Sequence, residues 1–166
     1  MFRQRPGRVK SFSYVGFAQY LVTSCTDRRQ PYFSDGQTVG ETLKQIRHCT
    51  AHFHFTLIAY CFMPDHLHLL VEGTSEDSDF LAFVHAMKQR AGFAFKTRTK
   101  RALWQPSYHD HVLRDDEVTL RVVRYVLDNP VRAGLVASPL DYPFLGSDLY
   151  SLEQLLGGTE PRAWQA

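Results

Sequence analysis

Residues 55–73 read FTLIAYCFMPDHLHLLVEG. The stretch 55–63 is a continuous apolar run rich in β-branched and aromatic side chains, which predicts a buried strand. Pro64 and Asp65 supply a turn signal. HLHLLVE (66–72) then predicts a returning strand, so 55–72 becomes an antiparallel hairpin. Two imidazoles interrupt the second strand. Side chains at i and i+2 share one face of a strand. His66 and His68 therefore stand side by side, and Leu67, Leu69 and Val71 point to the opposite face.

Upstream, FAQYLVTS (17–24) alternates and predicts a strand. DGQTVG follows with turn and cap residues, and Val39, Leu43, Ile46, Thr50 and Phe53 recur at helical spacing, which predicts a helix over 37–53. Downstream, SEDSD offers N-caps for a helix near 77–95 with the apolar stripe Phe80, Val84, Met87, Ala91 and Phe95. KTRTKR (96–101) is expected as an exposed loop, YHDHVLR (108–114) as a fourth strand, and 115–129 as a helix with acids in its first turn. Pro130 is expected to end that helix, because the residue before a proline avoids the helical region. The order is β-α-β-β-α-β-α. Its first six elements form the split βαβ pattern of ferredoxin-like (RRM-like) folds, an α+β antiparallel sheet with two helices on one face. The final helix, which carries Tyr125, is an addition. The domain is expected to span 1–145, with 146–166 as a C-terminal tail.

With 166 residues, 44% of them hydrophobic, the chain can bury a core without staples. Cys25, Cys49 and Cys61 are odd in number and show no CxxC spacing, as in a reduced compartment. The basic N-terminus leads into no clean apolar segment, and no run approaches the roughly 18 apolar residues of a membrane span. A cytoplasmic, nucleoid-associated protein that does not enter a membrane is the expectation. The net charge of +2 is unevenly spread. Residues 1–26 hold Arg3, Arg5, Arg8 and Lys10 without an acid, and 80–109 hold Lys88, Arg90, Lys96, Arg98, Lys100 and Arg101, again without an acid. Acid-free basic segments suit either solubility or a polyanionic partner.

Two imidazoles on one strand face can share a divalent metal ion or form a half-exposed hydrogen-bonded pair. The last helix is the element available to cover them. Its apolar arc runs through Val118, Val122 and Val126, and Tyr125 and Asn129, four apart, stack on the edge of that arc. The Asn129 carbonyl oxygen can act as a hard third ligand, with the Tyr125 hydroxyl beside the ion. A phenol is a poor nucleophile at neutral pH, since its pKa is about 10. A metal that polarises a phosphoryl oxygen makes attack on phosphorus feasible, with the bond energy held as a phosphotyrosine. The plainer alternatives are a half-buried core tyrosine and an asparagine that only finishes a helix.

MPDHLHLLVEG resembles the HUH motif (histidine, hydrophobic residue, histidine) of the single-tyrosine HUH transposases. RYVLDNPVRAGLV (124–136) resembles the tyrosine helix of REP-associated tyrosine transposases, relatives of the IS200/IS605 group, and LWQPSYHDHVLRDDE (103–117) is similar to the segment before it. The resemblance covers roughly residues 13–145. It implies His66 and His68 as metal ligands, Tyr125 as nucleophile and Asn129 as third ligand, where insertion-sequence relatives commonly have glutamine. It further implies cleavage and rejoining of single-stranded DNA beside imperfect hairpins through a 5′-phosphotyrosine, with Mg²⁺ or Mn²⁺ as cofactor. The implied partner is a single-stranded DNA hairpin, and the protein acts as a monomer or a homodimer. The basic residues 3–10 and 88–101 are the expected phosphate contacts, and Phe12, Tyr14 and Trp104 either stack on unpaired bases or pack in the core.

Asp65 is read as a turn residue that also orients a histidine. No role falls to His109 and His111, although one of them can replace Asn129 as ligand if the fourth strand lies close enough. Tyr108 is the substitute nucleophile should Tyr125 not serve. The competing functional reading is a non-catalytic single-strand-binding module, because ferredoxin-like sheets often bind single strands through aromatics on the sheet face.

Overall fold

The computed structural model describes residues 12–114 and 119–157. The basic residues Arg3, Arg5, Arg8 and Lys10 and the acids expected to open the last helix lie outside this range.

Burial alternates residue by residue along β1 (Gln19–Cys25), with Tyr20, Val22 and Ser24 buried. The hairpin forms as the sequence predicts, with β2 at Phe55–Met63 and β3 at His66–Gly73. β4 (His109–Val112) pairs with β1, and a short β5 (Leu145–Gly146) pairs with β2. The sheet order is β4-β1-β3-β2-β5, and all four pairings are antiparallel. The first four strands in the order 4-1-3-2 give the ferredoxin-like arrangement, and β5 extends it by one edge.

Two apolar layers fill the two faces. Leu67, Leu69 and Val71 join Tyr20 and Val22 under α1 (Gly36–His52) and α2 (Phe80–Thr99), which supply Val39, Ile46, Phe83, Val84 and Met87. On the other face Leu70, Ala59, Cys61 and Met63 meet Val123, Val126 and Leu127 of α3 (Thr119–Leu127) and Leu155 of α5 (Leu152–Leu156). A bulge in β2 between Leu57 and Ala59 turns Ile58 into this second layer as well. Each large apolar side chain buried this way contributes about 1.5–3 kcal/mol. Residues 146–157 pack here too. Asp148 takes the Arg47 guanidinium at 2.6 Å, and its backbone N–H donates to the Leu57 carbonyl.

Two expectations need correction. The segment 96–99 is not a loop but the last turn of α2, which closes at Lys100 in the left-handed conformation (φ 63°). Buried Phe95 anchors that turn, and Arg98 ties it to Glu41 and Thr38 of α1. Pro130 does not stop the chain's helical course either. It stands at the start of a further short helix, α4 (Asn129–Arg132), where a missing N–H costs nothing. The Val126 carbonyl, which a proline at 130 leaves without its usual donor, accepts from Asn129 Nδ2 at 3.1 Å.

Candidate active site

The β1–β3 ladder sets the histidine face. Cys25 pairs with His66, Thr23 with His68 and Leu21 with Leu70, so these side chains share the face that α3 covers. The two imidazole rings lie 4.8 Å apart and perpendicular. His66 Nδ1 meets Asp65 Oδ1 at 2.6 Å, and Asp65 in turn faces Arg29 at 3.6 Å. His68 Nδ1 meets Thr23 Oγ1 at 2.9 Å. With a proton on Nδ1 bound to these partners, each ring presents an Nε2 lone pair, the arrangement in which outer groups orient metal-ligating histidines. Only 5% of His68 is exposed. Burial, the neighbouring His66 and the Arg132 charge lower its pKa to about 4, so the ring is neutral near pH 7. Two adjacent imidazoles, each held from behind through Nδ1, fit a divalent cation.

α3 brings Tyr125 over this pair. Its ring stands 6.1 Å from that of His68 at 74°, with 44% of the residue exposed. Tyr125 and Asn129 are neighbours, as the four-residue spacing predicts. Asn129 Nδ2 caps the carbonyls of Tyr125 (2.9 Å) and Val126, and its Oδ1 accepts from Arg132 Nη2 at 3.2 Å. The same Nη2 donates to the Tyr125 carbonyl, and the guanidinium carbon lies 4.2 Å from the centre of the Tyr125 ring. The asparagine is thus a helix-junction plug whose carboxamide oxygen is engaged by an arginine.

The remaining candidates lie apart from this centre. β1 separates β4 from β3, so His109 and His111, opposite Thr23 and Leu21, are two strands from His66 and His68. Among the described residues no three His, Cys, Asp or Glu side chains gather closely enough to hold a metal ion. The basic residues 88–101 belong to the helical layer on the other face. Lys88 donates to the Gln105 and Ser107 carbonyls and lies over the rings of Trp104 and Tyr108, and burial lowers its pKa to about 8. Arg90 binds Gln45, Arg98 binds Glu41, and Lys100 caps its own helix through the Thr97 carbonyl. Lys96 and Arg101 are exposed. Tyr14 stacks on Phe80 and Tyr20 and Trp104 packs against Phe33, so both contribute to the core layer, whereas Phe12 is exposed and meets Tyr14 edge-on. Tyr108 packs on the same layer, away from the histidines.

Sequence reasoning missed Thr23 and Arg132. The rung Thr23 shares with His68 is a matter of register, which one strand does not announce. Arg132 lies within NPVRAGL, seven residues after Tyr125, but a helix ended at Pro130 would have carried it away from the ring.

The family model described as "Transposase IS200 like" matches residues 15–129. A REP-associated tyrosine transposase of Haemophilus influenzae is 26% identical over 78% of each chain, and one of Escherichia coli is 28% identical over 54% of this chain and 53% of its own. Among solved structures, a REP-associated tyrosine transposase bound to a REP hairpin superimposes with a TM-score of 0.69 at 21% identity, covering 87% of this chain and 82% of that one. A transposase-like protein of Deinococcus radiodurans gives a TM-score of 0.51 at 26% identity over 72% and 95%.

Proposed function

The chain belongs to the IS200-like transposase family, and from that premise we propose that it is a metal-dependent single-stranded DNA transesterase that cuts and rejoins DNA beside hairpins through a covalent 5′-phosphotyrosine. The observation that carries this reading is the approach of the Tyr125 ring to His68 within one chain. A nucleophile, two oriented imidazoles and a guanidinium converge there, and a passive binding surface needs none of that convergence. The similarity to REP-associated relatives, one of them solved with a REP hairpin, supports hairpin DNA as the substrate class.

In the cutting step the Tyr125 oxygen attacks phosphorus, the phenolic proton passes to water, and the Tyr–O–P bond forms. The P–O3′ bond breaks, and the departing 3′-oxygen takes up a proton. Attack by another 3′-hydroxyl reverses the sequence and releases the tyrosine. His66 and His68 would hold the cation through Nε2, with Asn129 as third ligand through the Oδ1 lone pair that Arg132 does not occupy. An imidazole pair suits Mn²⁺ better than Mg²⁺, which prefers oxygen ligands. When bound, the cation withdraws charge from a phosphoryl oxygen. Asp65 and Thr23 fix the two rings so that no rotamer search precedes binding. The 6.1 Å separation of the Tyr125 and His68 rings within one chain supports a tyrosine that acts in cis.

Incubation with Mn²⁺ and a labelled single-stranded hairpin should give a protein–DNA band that survives denaturing electrophoresis. Tyr125→Phe keeps the ring and deletes the attacking oxygen, so it should lose the band and keep binding. Two free DNA ends with no adduct at any time would instead make the protein a water-dependent nuclease.

A further inference from the structure

We infer that Arg132 binds the charged oxygens of the phosphodiester attacked by Tyr125, and this rests on the transesterase reading above. The guanidinium is placed for it. Its carbon lies 4.2 Å from the centre of the Tyr125 ring, and that ring in turn lies 6.1 Å from the ring of His68. It therefore borders the space between the phenol and the histidine pair.

Its hydrogen bonding leaves it free to take an anion. A guanidinium has five N–H donors. Nη2 uses its two on the Tyr125 carbonyl and Asn129 Oδ1, both at 3.2 Å. The Nε donor and both Nη1 donors meet no protein acceptor among the described residues, and no described carboxylate forms an ion pair with this side chain. Arg29, the other arginine near the histidines, differs in both respects, since it faces Asp65 and donates to Cys25. Arg132 is exposed, so a strand of DNA reaches it without any rearrangement of the core. Nε and Nη1 donate from different edges of the guanidinium, so each can give a non-bridging phosphate oxygen one charge-assisted hydrogen bond. Those oxygens carry growing charge as the phenol attacks, and a fixed cation beside them acts where that charge develops.

The two Nη2 bonds have a different purpose. They hold the guanidinium over the phenol ring, so that its position is set before DNA arrives. A lysine can bring charge to the same place but, with three donors, would keep only one for DNA after making this pair of bonds.

The test is a binding cycle in the Tyr125→Phe background, where nothing is cut. The scissile link is first mapped with the unaltered protein. Oligonucleotides carrying either a normal phosphodiester or a neutral methylphosphonate at that link are then titrated against Arg132 and Arg132→Gln chains. The methylphosphonate should weaken binding about 10-fold with Arg132 and less than about 2-fold with glutamine, since the charge it removes then has no partner. Equal losses in both chains overturn the inference. Arg132→Lys separates a phosphate role from a purely structural one, and replaces the glutamine variant if that variant shows no cooperative unfolding. Lysine retains charge, so several-fold sensitivity to methylphosphonate should persist. Sensitivity lost in the folded lysine variant as completely as in glutamine would assign Arg132 to pinning Asn129 alone. An adduct formed by the unaltered chain together with an additive cycle defeats this inference and leaves the transesterase reading standing. Absence of any adduct defeats both.

Discussion

Thr23 Oγ1 lies 2.9 Å from His68 Nδ1, across the ladder rung that pairs the two residues. The hydroxyl fixes a buried imidazole from the side opposite its free nitrogen. Thr23→Val removes the hydroxyl with almost no change of volume. It should weaken Mn²⁺ binding about 10- to 100-fold, the usual effect of losing a group that orients a ligand. It should also cost about 1–3 kcal/mol of stability, because a buried ring nitrogen loses its partner. Calorimetric titration with Mn²⁺ and urea denaturation of the metal-free protein measure the two effects separately.

The burial of His68 has a signature in pH. Its folded pKa of about 4 lies below the ordinary 6.5, so between those values the unfolded chain binds the proton that the folded chain refuses. Stability from this source is complete above about pH 6.5 and is lost as pH falls toward 4. The full effect is at most about 3 kcal/mol. Denaturation of metal-free protein at pH 7 and pH 4.5 should show the loss in the unaltered chain and a clearly smaller one in His68→Gln. Equal acid sensitivity would assign the loss to other groups.

Asn129 has two separable roles. Asn129→Ala should destabilise by about 1–2 kcal/mol, because the Tyr125 and Val126 carbonyls lose a shared donor at the helix junction. Asn129→Asp loses that donor as well but keeps an oxygen. If Asn129 is also the third ligand, the aspartate variant should bind Mn²⁺ at least as tightly as the unaltered chain and the alanine variant less tightly. Metal affinities that ignore both changes would leave Asn129 with the junction alone.

Lys96, Lys100 and Arg101 lie around the exposed end of α2, whereas Arg98 is held by α1. Neutralising the exposed three together should flatten the salt dependence of single-strand binding by about 0.7 in slope for each phosphate that the variant no longer neutralises. Arg98→Ala should instead act mainly on thermal stability. An unchanged slope for the triple variant would direct the DNA path away from this helix end.

What the sequence disclosed depended on the range of the signal. The hairpin and its histidine face follow from an alternation of period two, which the chain displays locally. The Tyr125–Asn129 spacing follows from the helical repeat in the same way. The end of α2 was misread because KTRTKR looks like a solvated loop, and only the partners of Arg98 across the helix pair make it a final turn. The α3–α4 junction was misread because the rule that proline halts a helix ignores a side-chain amide able to replace the missing donor. The partners of His68 and Tyr125 come from strand register and from that junction, neither of which is written in any short stretch.

β3 is a strand whose two faces serve different masters: leucines and a valine to the helical layer, imidazoles to the layer under α3. A slip of one residue against β1 would turn His66 and His68 into the aromatic-rich layer and expel Leu67 and Leu69 from it. Such a misfolded chain could neither bury its largest apolar surface nor assemble the histidine pair. Any copy stable enough to persist has therefore already aligned that pair, so quality control of the fold is at the same time quality control of the chemistry. Under the transesterase reading proposed above, half-formed copies would carry no partial activity with which to nick a strand.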